Sequence, residues 1–128
     1  MANAGQLQVD RVDRLEALRQ KVAAFATARD WDQFHTPKNL AMALIAEAAE
    51  LIEHFQWLSP EQSQHLPADK VDAVSQELAD VLIYLVRIAD KLGVDLMQVA
   101  ERKMALNEQR YPAEQVRGDA RRASEYTT

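Results

Sequence analysis

The feature that most constrains this chain is its scarcity of helix breakers: three Gly and four Pro in 128 residues. Pro37, Pro60, Pro67, Gly93 and Pro112 separate long stretches, each of which reads at the helical period. The first, about Leu7 to Arg29, carries Leu15, Leu18, Val22 and Phe25 at spacings of three and four. Asp30 to His35 has no period. Thr36-Pro37 then supplies an N-cap and a proline at the first helical position, predicting a second helix to about Trp57. Ser59-Pro60 opens a short connection with room for one turn. A third helix is predicted from about Asp69 to Leu92, where Gly93 suits the left-handed residue after a helix end. Asp95 with Gln98 three residues later resembles a capping box for a fourth helix ending near Tyr111. Nothing alternates at period two long enough for a strand. The expectation is an all-α, four-helix bundle-like domain over 1–112 and a polar, mobile tail over 113–128.

Composition narrows the functions open to such a fold. The hydrophobic fraction of 48% excludes wholesale disorder, and the absence of Cys removes disulfides, thiolate metal sites and a catalytic thiol. Fifteen basic against 20 acidic residues leave no overall positive field for a nucleic acid polymer. No apolar run reaches the roughly 18 residues needed to cross a bilayer, and Met1 to Asp10 lacks a signal pattern. A soluble, cytoplasmic protein with no membrane partner is expected. Val81 to Val86 is apolar nearly all round, which implies burial on most sides. Four helices give that segment three neighbours at most, so a subunit interface is expected to cover the rest.

The chemistry is carried by two carboxylate pairs on apolar helices. Glu47 and Glu50 are three apart among Ala, Leu and Ile, and so share a face. Glu77 and Asp80 repeat the design on the third helix. Either pair alone reads more readily as a solvated face. Two pairs on consecutive apolar helices favour a site, because four acids near an apolar surface repel one another unless a cation or protons neutralise them. All-oxygen ligation suits Mg²⁺ or Mn²⁺ rather than zinc. A ferritin-like di-iron centre needs Glu-x-x-His twice, and none of His35, His54 and His65 has a Glu three residues before it.

Other residues extend these faces. Tyr84 continues the stripe of Glu77 and Asp80, while His54 and Trp57 stand four and seven after Glu50. Lys103, Asn107 and Arg110 form a donor-rich face on the fourth helix, or simply a solvated one. Metal-holding carboxylates with such donors are the parts of a polyphosphate site. Trp31, Phe34 and Trp57 are placed in a linker and at a helix end, where rings can sandwich a base, although core packing is the commoner fate of aromatics. His54 reads as a surface residue or a support to a ligand; His35 is open. A Gly-rich phosphate loop is absent.

The pattern Glu47-x-x-Glu50 followed by Glu77-x-x-Asp80 resembles the metal motif of the MazG-like all-α nucleoside triphosphate pyrophosphohydrolases. Arg29 to His35, Pro37-x-Asn39-Leu40, Phe55-Gln56-Trp57, Asp80 to Leu85 and Lys103-Met104 through Arg110-Tyr111-Pro112 are similar to its dCTP pyrophosphatase branch. The resemblance covers about Leu15 to Pro112. It implies Mg²⁺-dependent cleavage of dCTP or modified pyrimidine dNTPs to monophosphate and pyrophosphate, a house-cleaning activity on the nucleotide pool. It also implies that Glu47, Glu50, Glu77 and Asp80 hold the metal, with Glu47 or Glu50 orienting the water. Trp31 and Trp57 would enclose the base. Tyr84, Lys103 and Asn107 would contact sugar and phosphates, with Arg110 a weaker candidate. A homotetramer built as a dimer of dimers is implied as well. Two departures stand out. Ala46 takes a position where MazG proper has an acid and where the dCTP branch lacks one too. Val22 takes the place of that branch's base-contacting His, which puts cytosine preference in doubt. The rival expectation is a non-catalytic helical assembly protein with a cation-binding carboxylate cluster.

Overall fold

Helix boundaries follow the caps that the sequence supplies. In the computed structural model, which describes residues 4–121 and 123–125, α1 runs Ala4–Ala28 and α2 runs Pro37–Glu53. The Thr36 side chain accepts a hydrogen bond from the Asn39 amide at 3.2 Å, and Pro37 takes the first position of α2. A short α3, Pro60–Gln64, is closed by a full capping box between Ser59 and Gln62. The long α4, Ala68–Leu92, ends on Gly93 at φ 67°, the left-handed conformation that glycine adopts without a Cβ penalty. Asp95 caps α5, Leu96–Arg110, by accepting from the Gln98 amide at 3.1 Å. No strand occurs among the described residues, and the fold is all-α as expected.

One boundary differs from the expectation. α2 stops at Glu53, not near Trp57, because the backbone tightens after Ile52: the His54 amide reaches back to Leu51 and that of Phe55 to Ile52. Pro60 then forces Ser59 into an extended conformation, so winding could not have continued further. Trp57 is therefore not on the helical face of Glu50. The polar segment after Pro112 contains a short α6, Ala113–Val116, and a 3₁₀ turn, Ala123–Glu125. Met1 to Asn3, Arg122 and residues 126–128 lie outside the described residues, as does that part of the expectations about either end.

The chain divides into two compact units, residues 1–93 and 94–128. In the first, α4 packs chiefly against α2 and also against α1. The α2–α4 pairing is antiparallel, since His35 before α2 meets Arg87 while His54 after it meets Glu77. Ala26, Leu40, Val74, Val86 and Ala89 form the buried core. That core is small, and the apolar centre of α4 is not enclosed by this chain: Leu82, Ile83 and Leu85 remain substantially exposed. The second unit consists of α5, α6 and the 3₁₀ turn. No helix among the described residues is long and apolar enough to cross a membrane.

Candidate functional site

The antiparallel pairing of α2 and α4 brings three of the four acids to one point. An oxygen from each of Glu47, Glu77 and Asp80 lies within 4.8 Å of the other two, and all three side chains are half-buried. Glu50, one turn beyond Glu47, is exposed but close enough to act on both Glu47 and Glu77. Burial, followed by the neighbouring Glu50, Asp80 and Glu77, pushes the Glu47 carboxyl up to about 7. Glu77 is raised by the same causes, burial first, with the nearby His54 pulling the other way. His54 Nε2 stands 3.8 Å from Glu77 Oε1.

Glu47 Oε2 and Glu77 Oε2 are buried without a hydrogen-bond partner. Buried carboxylate oxygens are rarely left so, since the desolvation cost goes unanswered. A divalent cation would answer it, and a hard cation such as Mg²⁺ or Mn²⁺ fits a set made only of carboxylate oxygens. The residues present therefore fit a divalent metal ion.

The linker between α1 and α2 is fixed by a cluster that sequence reasoning missed. Arg87 on α4 is 4% exposed and donates from Nη2 to Asp32 Oδ1, from Nε to His35 Nδ1 at 3.0 Å and from Nη1 to Asp90 Oδ2 at 3.3 Å. Asp32 also accepts from the Thr27 hydroxyl at 2.8 Å, and Asp90 from Arg19 at 2.9 Å. These bonds hold the Asp32 carboxyl below its ordinary value, Thr27 first and Arg87 next. His35 is lowered, by burial and then by the Arg87 charge, which suits an imidazole that accepts through Nδ1. One signal could have exposed the cluster: Arg87 continues the stripe Glu77, Asp80, Tyr84 by three residues, inside an apolar run.

The remaining expected residues are placed as follows. Trp31 is 43% exposed, its ring edge-to-face with Phe25 at 5.7 Å and 6.3 Å from His35. Trp57, just past the end of α2, is 86% exposed. Tyr84 is half-buried one turn beyond Asp80 on α4. Lys103, Asn107 and Arg110 all lie on α5 in the second unit, with Lys103 and Arg110 exposed and Asn107 half-buried. Val22 is half-buried on α1.

With this geometry in hand, known proteins narrow the reading. The model of the MazG-like family matches residues 43–125. The dCTP pyrophosphatase 1 of Mus musculus is 48% identical over 108 residues, 83% of this chain and 64% of that protein. That of Homo sapiens is 41% identical over 127 residues, 97% of this chain and 74% of that protein. The chain thus spans somewhat under two thirds of the mouse relative and about three quarters of the human one. A crystal structure of a pyrophosphatase from Archaeoglobus fulgidus superposes with a TM-score of 0.74 at 38% identity, covering 77% of this chain and 93% of that one. Likeness in sequence, in structure and in the carboxylate motif agrees: the chain belongs to the MazG-like family, in the branch that holds the dCTP pyrophosphatases.

Proposed function

We propose that the chain is a Mg²⁺-dependent hydrolase that cleaves dCTP, or a modified pyrimidine deoxynucleoside triphosphate, to the monophosphate and pyrophosphate. The observation that carries this reading is the convergence of Glu47, Glu77 and Asp80, with two of their oxygens buried and unpartnered. These three, with Glu50 beside them, would hold the cation. A cation held there would offset charge on the phosphate oxygens and so ease attack by water on phosphorus. Mn²⁺ can take the same ligands.

The protein's own groups do the rest. Glu47 and Glu50 are the candidates to orient or deprotonate the water. Glu50 is exposed and stands beside the three-way convergence, close to both Glu47 and Glu77. Trp31 and Trp57 present exposed rings on which a base can stack, and Tyr84 offers a phenol one turn from Asp80 toward the sugar. Lys103 and Asn107, with Arg110, are donors for the triphosphate. Val22 has no hydrogen-bonding group, so discrimination among pyrimidines should be shallow. The setting we propose is the cytoplasmic nucleotide pool. The assembly we propose is a homotetramer, whose contacts would cover the apolar surfaces that one chain leaves open.

The test is pyrophosphate release across dCTP, dTTP, dUTP and dATP with Mg²⁺, with Mn²⁺ and with chelator. Turnover of a pyrimidine triphosphate that vanishes in chelator is expected. A folded protein that turns over none of them with either metal would instead be a helical assembly protein that merely binds a cation.

A further inference from the structure

Arg87 is an expensive residue to bury. A guanidinium taken from water must find partners for its donors, and an apolar side chain of similar volume would often serve stability as well or better. Here it is 4% exposed, and two of its three acceptors, Asp32 and His35, are in the linker 30–35, which is a set of turns rather than a helix. That linker begins with a left-handed residue, Asp30 at φ 54°, and the next residue is Trp31. The Trp31 amide is tied to the end of α1 through the Ala26 carbonyl at 2.9 Å, and its ring lies 5.7 Å from that of Phe25 and 6.3 Å from that of His35. Asp32 is the residue after Trp31 and His35 lies four residues beyond it, and Arg87 grips both.

Arg87 also lies on the same face of α4 as the acids. Asp80, Tyr84 and Arg87 follow at steps of four and three, which puts the guanidinium two turns, roughly 10 Å, along the axis from Asp80. One rigid helix therefore carries two of the site carboxylates and the anchor of the Trp31 linker. We infer that Arg87 is a positioning residue for nucleotide binding: by fixing Asp32 and His35 it sets the Trp31 ring at a defined place relative to the carboxylates on α4. The inference rests on the reading of Trp31 as a base-stacking residue, and the experiment separates the two.

The chain has two Trp, so Trp57→Phe makes Trp31 the sole Trp reporter. In that background, without nucleotide, Arg87→Met should increase acrylamide quenching and shift emission of Trp31, while Arg87→Lys, which keeps the charge and one partner, should fall between. In the otherwise native protein, Arg87→Met should raise KM for dCTP by roughly three- to tenfold with kcat within about twofold. In a Trp31→Ala background the same change should move KM by less than about twofold, because there is no ring left to place. Asp32→Asn, a milder lesion in the same clamp, should reproduce the pattern if Arg87→Met proves too unstable to assay. The inference is overturned if Arg87→Met and Asp32→Asn leave KM unchanged while Trp31→Ala raises it, or if their effects simply multiply with that of Trp31→Ala. If Trp31→Ala itself leaves KM unchanged, the base-stacking reading fails and takes the inference with it, whatever the Arg87 variants do.

Discussion

At the scale of the residue, the molecule is defined by acids held where acids are uncomfortable. Glu47, Glu77 and Asp80 converge on a half-buried point with two unpartnered oxygens, so the metal-free protein carries a repulsion that a cation would relieve. Asp80→Ala should accordingly lower turnover at least about 100-fold, because a lost ligand should cost no less than a lost support to a ligand. It should leave the metal-free melting temperature no lower than that of the wild type, and should gain less stability from added Mg²⁺. Calorimetry with and without the metal checks both statements. Near-normal turnover would remove Asp80 from the site. Glu47 provides a pH-dependent counterpart. Its carboxyl is raised from 4.5 to about 7, so folding favours the protonated form. The associated stability is complete below pH 4.5 and is lost as pH rises through 7. In chelator, wild type should therefore lose stability relative to Glu47→Gln between pH 5 and 8, read from denaturation midpoints. A flat difference would mean that Glu47 ionises as an ordinary exposed carboxylate.

At the scale of the element, local rules account for most boundaries. Thr36-Pro37, Ser59-Pro60 with Gln62, Gly93 and Asp95 all act as their sequence contexts imply. Gly93 gives the cleanest check. A Cβ there would meet nothing within 4 Å, so Gly93→Ala should cost about 1–2 kcal/mol through its φ of 67° alone, without affecting kcat. An equilibrium unfolding midpoint unchanged by the substitution would contradict the helix end described here. The carboxylate pairs on α2 and α4 were legible for the same local reason: a spacing of three fixes a shared face. Their convergence was not legible from spacing, since it depends on antiparallel packing. The end of α2 was misjudged because the stripe of Glu50, His54 and Trp57 extends past the residue where the backbone tightens. The Arg87 clamp escaped notice because its acceptors, Asp32 and His35, are more than fifty residues away in sequence. Helical period places Arg87 on the stripe of Glu77, Asp80 and Tyr84 but says nothing of its partners.

At the scale of the whole molecule, the single chain leaves much apolar surface uncovered. Met42, Ile45 and Ile52 line one face of α2 and Leu78, Leu82 and Leu85 one face of α4, and all six are exposed. Patches of this kind mark interaction surfaces, and a second copy of the chain is the occupant implied by the proposed tetramer. Ile45, 68% exposed, is the probe of choice. Ile45→Glu should reduce the mass measured by light scattering, since an interface would have to bury an unpaired charge. An unchanged assembly would place the contacts elsewhere. Whatever its assembly, converging carboxylates on two antiparallel helices make this chain a nucleotide pyrophosphohydrolase. The most direct test is to identify the products of dCTP turnover with Mg²⁺, in wild type and in Asp80→Ala. The account predicts dCMP and pyrophosphate in equal amounts from wild type and almost none from the variant. Formation of dCDP and orthophosphate, or equal product from both proteins, would contradict it.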